Sequence, residues 1–163
     1  MSKKKRWIDI AFTALTVLLI AALAGYIYWV VLTDSASDRP VADIAAEIDS
    51  SFDGMVKGDE NTLKRLYGVT GQECGEYILY SAESMMDVRE LLVVKAKDDA
   101  ALDMLEKAVA KRLETQKKNF NGYGVEQTAL LDAAVTSERG NYFFFAVHKN
   151  ADLWQDRFLT AIR

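Results

Sequence analysis

The chain has little of what builds metal centres and covalent cross-links. Its 163 residues include one cysteine, one histidine and one proline. A single copy of each cannot assemble a Cys/His zinc site or close an internal disulfide. Nine glycines without a repeat exclude a collagenous chain. Net charge is -4 and the sequence pI is about 5.1, so the broad basic footprint of a nucleic-acid-binding protein is missing. What remains is a chain that is 50% hydrophobic, of a length suited to one domain plus a short appendage.

That average conceals two unlike parts. Residues 1–32 carry Lys3, Lys4, Lys5 and Arg6 against one acid, Asp9, which leaves 16 basic and 23 acidic residues downstream. From Ile10 to Leu32 no side chain is charged. As a helix this run reaches roughly 34 Å, slightly more than a hydrocarbon core of about 30 Å. Trp7 stands at its basic end and Tyr26, Tyr28 and Trp29 at the other, the positions interfacial aromatic rings prefer. The sequence therefore predicts a cytoplasmic basic tail over 1–6, a transmembrane helix over 7–32, a linker over 33–40 and an extracytoplasmic domain over 41–163. The alternative, a cleaved secretory signal, has an apolar region of about 7–15 residues, shorter than this one. In either case the body is exported, and Cys74 is expected as a buried small hydrophobe.

Within the body, apolar residues at Ile44, Ala45, Ile48, Phe52 and Met55 predict a helix from Val41 to about Lys57. A second helix is expected over Glu60 to Tyr67, ended by Gly68. Glu76 to Ser81 and Arg89 to Lys97 read as strands. Asp98 or Asp99 caps a long helix to about Asn119 bearing Leu102, Leu105, Val109 and Leu113 on one stripe. Gln127 to Leu131 reads as a helical turn, Ala133 to Ser137 and Tyr142 to Val147 as strands, and Trp154, Phe158 and Ile162 mark a last helix. The expected fold is α+β: an antiparallel four-stranded sheet, made of two strand pairs separated by a long helix, with flanking helices and one preceding transmembrane helix.

Three segments carry a family resemblance: Met85 to Asp98, Lys111 to Lys118 and Gly140 to Val147, together with Arg65 to Val69. Across roughly residues 41–160 the chain resembles domain-of-unknown-function family 4358, single-domain proteins of Gram-positive bacteria that follow a membrane or lipoprotein segment. The resemblance implies a surface-anchored domain and supplies no activity. It also implies, as a partner, a membrane-bound O-acyltransferase of cell-surface polysaccharide.

The residues offer few chemical signatures. Asp49 to Glu60 has oxygen-bearing residues at loop positions one, three and five, Gly54 at six and Glu60 at twelve, as a calcium-binding hand requires. Lys57 at position nine and the continuing apolar stripe favour a helix ending at Gly58 with solvated acids instead. His148 lacks a second histidine and reads as a surface residue at a strand end. Glu73, Glu76, Glu83, Asp87 and Glu90 contain the makings of a carboxylate pair for glycoside hydrolysis, but sequence spacing does not set the separation such a pair needs. Lys107, Lys111, Arg112, Lys117 and Lys118 alternate with Asp103, Glu106 and Glu114, the pattern of a solvated helix face. Asn121 to Gly124 is a turn.

The expectation is a binding or accessory module of the cell envelope with no catalytic activity, no metal and no cofactor. Its partners would be the membrane and an envelope protein or cell-wall polysaccharide. An accessory role beside an O-acyltransferase and a carboxylate hydrolase are the alternatives. A ligand surface is expected near the loop from Ser84 to Asp87, with Tyr77, Tyr80, Met85, Asp87 and Tyr142 as candidate binding residues.

Overall fold

In the computed structural model of the chain, residues 3–33, 38–49, 52, 54–122 and 124–163 are described, and within the first helix side chains are described from 13 to 28. The chain divides into two units, Met1–Ser35 and Ala36–Arg163. The first contains one continuous helix, α1 (Lys3–Thr33). It begins at Lys3, so the basic residues expected as a tail lie in its first turns. Tyr26 and Tyr28 are exposed on it, whereas the side chains of Lys3, Lys4, Lys5, Arg6, Trp7 and Trp29 fall outside the described residues. Among the described residues no helix is long and apolar enough to cross a membrane.

The second unit is an α+β domain. Its elements are α2 (Val41–Ile48), β1 (Met55–Lys57), α3 (Glu60–Tyr67), α4 (Gly71–Cys74), β2 (Gly75–Ala82), β3 (Glu90–Ala96), α5 (Asp99–Phe120), α6 (Val125–Asp132), β4 (Val135–Arg139), β5 (Tyr142–Val147) and α7 (Ala151–Ala161). The sheet is antiparallel with order β1-β2-β3-β5-β4. It has five strands, not the expected four, because β1 pairs Met55–Lys57 with Tyr80 to Ala82.

The extra strand explains why the predicted first helix stops early. At its end the Arg157 guanidinium donates to the Ile48 carbonyl at 2.8 Å, and the Trp154 indole N–H donates to the Asp49 carboxylate at 3.2 Å. Both bonds hold the chain where it turns extended. Phe52 then adopts φ 43°, a left-handed conformation unusual for an aromatic residue, and stacks on Tyr80 at 4.1 Å between ring centroids. The apolar stripe is real, but its last members reach the core through a turn and a strand rather than a helix.

Strand alternation sends successive side chains to opposite faces. On one face Ile78, Leu91, Val93, Tyr142, Phe144 and Ala146 meet α2 and α7. On the other, Leu79, Leu92, Val94, Phe143, Phe145 and Val147 meet α3 to α6. The long helix behaves as its sequence predicts: Asp98 accepts from the Ala101 N–H, and Leu105 and Val109 are buried while Leu102 and Leu113 are half-buried. Gly68 ends α3 at φ 74°. A sharper constraint holds at Gly75, where φ is 118° and a Cβ would lie 2.3 Å from the Lys95 carbonyl oxygen.

The chain arrives on the domain at one end of this sheet. The Arg39 backbone N–H donates to the Tyr142 hydroxyl at 2.8 Å, and that hydroxyl donates back to the Arg39 carbonyl at 2.6 Å. The Arg39 guanidinium donates to the Ala161 carbonyl, Lys95 pairs with Asp38, and the Val41 N–H donates to Glu76. The last residues of the expected linker therefore belong to the domain surface. Residues 34–37 lie outside the described residues.

Candidate functional site

At the opposite end of the sheet, β2 and β3 exchange their loop beneath the second half of α5. Between them lies a cleft of about 260 Å³ lined by Arg65 and Leu66 of α3, Ser81 to Met85, Asp87, Arg89, Glu90, and Arg112, Gln116 and Asn119 of α5. Eight residues of β2 at about 3.3 Å each separate this cleft from the arriving chain by roughly 25 Å.

The floor of the cleft is polar. Ser81 and Glu90 are direct cross-strand partners on the sheet face that packs against α5. Glu90 occupies the same inward-facing row as Leu92, Val94 and Ala96, yet it is a carboxylate and only 3% exposed. Burying an ionised group costs several kcal/mol unless partners compensate it. Here one oxygen accepts the Tyr67 hydroxyl, and the other accepts the Arg112 Nη2 at 2.8 Å and Nε at 3.3 Å. Burial, then the neighbouring Glu90 charge, pushes the Tyr67 hydroxyl well above its ordinary pKa, so it stays a neutral donor. The result is a preorganised network with Arg112 fixed at the cleft wall.

A second ion pair stands at the rim. Arg89 donates to both oxygens of Asp87 and lies against the Gly54 carbonyl. Burial opposes ionisation of Asp87, but the hydrogen bonds from the Arg89 guanidinium and backbone N–H outweigh it and hold the carboxyl below its usual value. Both carboxylates of these pairs are engaged by arginine guanidinium groups.

The expected ligand residues divide. Met85 and Asp87 line the cleft, Met85 being 93% exposed at the loop tip. Tyr77 does not line it: its hydroxyl donates to Glu60 at 3.0 Å, and burial followed by that bond raises its pKa to about 12. Tyr80 packs on Phe52 on the other face of the sheet. Tyr142 is fully buried and clamps Arg39 at the far end. Of the expected acids, Glu83, Asp87 and Glu90 line one cleft, while Glu73 is held by Thr70 in a capping box.

Geometry bears on three further readings. His148 is not a surface residue: it is buried, stacked on Trp154 at 4.1 Å between centroids, and its Nδ1 accepts the Asn150 N–H. Burial first, then the positive charges of Arg89 and Lys149, depress its pKa. Cys74 is buried as expected, and burial pushes its thiol up to about 11, away from nucleophilic use. In the calcium-hand segment Asp49 bonds Trp154 and Glu60 bonds Gly71 and Tyr77, so the two end positions serve packing. Ser50, Ser51 and Asp53 lie outside the described residues, and among the described residues no group of three His, Cys, Asp or Glu is arranged to hold a metal.

Sequence reasoning missed Ser81 and Arg112, which line the cleft beside Glu90, and Tyr67, whose hydroxyl bonds Glu90 from α3. Two signals were present. Glu90 falls on the inward alternation of β3, and Arg112 lies seven positions after Leu105 on the buried stripe of α5, not on its solvated face. Two inward charges of opposite sign on facing elements predict each other.

No curated protein and no solved structure matches the chain. A family model does, over residues 47–148, a span that contains the strand pair, Glu90, Arg112 and the whole of β5. With well over half of its length inside that match, the chain belongs to the family described as a domain of unknown function, DUF4358.

Proposed function

We propose that this protein is a single-pass, membrane-anchored, extracytoplasmic binding or accessory module of the cell envelope, without catalytic activity of its own. The uncharged run from Ile10 to Leu32 within the continuous helix α1 supports the anchor, and the preceding Lys3 to Arg6 cluster supports a cytoplasmic N-terminus. The observation that carries the binding role is the open cleft over a buried Glu90–Arg112–Tyr67 network, at the sheet end remote from the arriving chain. Paired charges held buried in a cleft mark a functional-site candidate.

An accessory role beside a surface-polysaccharide O-acyltransferase is the specific form suggested by the family resemblance. It predicts loss of surface O-acetyl groups on deletion of the gene, and unchanged acetylation removes it. A carboxylate hydrolase draws on the three acids of the cleft, but two of them are bound to arginines.

The test is cysteine labelling of the full chain in intact cells. Cys74 is buried and supplies a silent background. Met85→Cys should react with a membrane-impermeant thiol reagent and Ser2→Cys should not; the reverse pattern overturns the orientation. A photo-crosslinking residue at Ser84 should then capture a defined species that one at exposed Leu153, on the α7 side, does not. Equal capture at both positions, or none at Ser84, overturns the binding role.

A further inference from the structure

The cleft continues along the seam between α3 and α5 into a groove of about 300 Å³. Its walls carry Lys64, Arg65, Lys111 and Arg112 and no acidic residue. This is the reverse of the domain around it, where acids outnumber bases by 23 to 16 downstream of residue 32. Lys64, Arg65 and Lys111 are exposed, and none has an ion-pair partner among the described residues. By contrast Lys117 and Lys118, nearly two turns further along α5, are paired with Asp132 and Glu114. Glu73 feels the charge of Lys64, but its carboxylate is held by the Thr70 hydroxyl and backbone N–H.

Arg112 joins the two depressions. It spends Nε and Nη2 on Glu90, which fixes the guanidinium plane and leaves Nη1 without a protein acceptor among the described residues. A planar, immobilised donor flanked by three unpaired cations is suited to an anionic oxygen group. The cleft beyond it has a different character. Three arginines, Arg65, Arg89 and Arg112, are balanced there by three acids, Glu83, Asp87 and Glu90, with Arg89 paired to Asp87 and Arg112 to Glu90, and Ser84 and Gln116 add hydroxyl and amide groups. Such a wall matches uncharged hydroxyl groups.

We infer that the groove between α3 and α5 binds the acid groups, phosphate or carboxylate, of a hydroxyl-rich polymer whose neutral units lie in the adjoining cleft. The inference rests on the binding-module reading and names its ligand class. Ion pairing at exposed cations is screened by salt, so affinity should fall as ionic strength rises.

The experiment uses the full chain in phosphatidylcholine nanodiscs, with oligogalacturonate as the carboxylate probe, poly(glycerol phosphate) as the phosphodiester probe and dextran as the neutral one. At least one acid probe should bind in preference to dextran. Combined Lys64→Ala, Arg65→Ala and Lys111→Ala should weaken it by about tenfold or more. A matched variant that removes exposed Lys57, Lys149 and Arg163 should keep affinity within about twofold, because those charges lie outside the groove. Equal loss in both variants overturns the site, as does binding of phosphatidylglycerol vesicles with neither acid probe bound. Dextran bound as tightly as the acid probes, and unaffected by the groove variant, overturns the acid-group assignment while leaving the binding module standing. That module falls separately, by the crosslinking pattern at Ser84.

Discussion

The two faces of the sheet are covered by helices, yet they are closed by different means. Against α2 and α7 the interior is aromatic: Phe144 stacks on Phe158 at 5.0 Å, and Phe52 meets the edge of Trp154 at 5.7 Å. Against α3 and α5 the same alternation runs apolar through Leu92 and Val94, then ends in Glu90 and Ser81. A purely apolar end would pack without the cost of desolvating two charges. The face that retains them is also the one that opens into a cleft, which separates the half of the core that stabilises from the end proposed to bind.

The largest effect should come from breaking the aromatic face. Phe144→Ala removes a fully buried ring and should cost about 4 kcal/mol, read from chemical denaturation of the full chain. Next is the polar end: Glu90→Ala leaves Arg112 and Tyr67 facing an uncompensated site and should cost about 3 kcal/mol. Replacing both charges, Glu90→Leu with Arg112→Leu, should recover most of that stability while abolishing recognition. A double variant no more stable than Glu90→Ala would show that the pair serves packing. Tyr142→Phe removes only a hydroxyl clamp and should cost about 1 kcal/mol, with ligand capture at Ser84 unchanged.

The mildest probe is pH. His148 is held neutral in the folded chain with a depressed pKa, whereas the unfolded chain takes up a proton near pH 6.5. The unfolded state thus binds more protons below that value, so the contribution of His148 is intact above about pH 6.5 and is lost as pH falls towards its lower folded value. The slope of melting temperature with pH over this window should flatten in His148→Gln. An unchanged slope would assign the acid sensitivity to other groups.

Local pattern made much of this fold legible. The 142–147 strand, the Asp98 cap, the Gly68 stop and the alternation of the two hairpins were all written in residues close together in sequence. The end of α2 was not, because Arg157 and Trp154, more than a hundred positions away, decide where it stops. β1 was invisible for the same reason: its three residues become a strand only by pairing with β2. His148 followed a strand and so read as exposed, but α7 folds Trp154 over it. For the site, the Ser84 to Asp87 loop was found by its position between strands, while Arg112 was lost among the other charges of α5.

The clamp between Arg39 and Tyr142 has a mechanical meaning. Asp38 and Arg39 hold Lys95 and Tyr142, which sit at the ends of β3 and β5, two of the three strands flanked on both sides. A load applied at the cleft and resisted at Asp38 and Arg39 would run along those strands and across their ladder in shear, since the ladder bonds lie perpendicular to the strands. All the bonds of the ladder would then share the force at once, whereas a tether fixed to β1 or β4 would peel the sheet open one pair at a time.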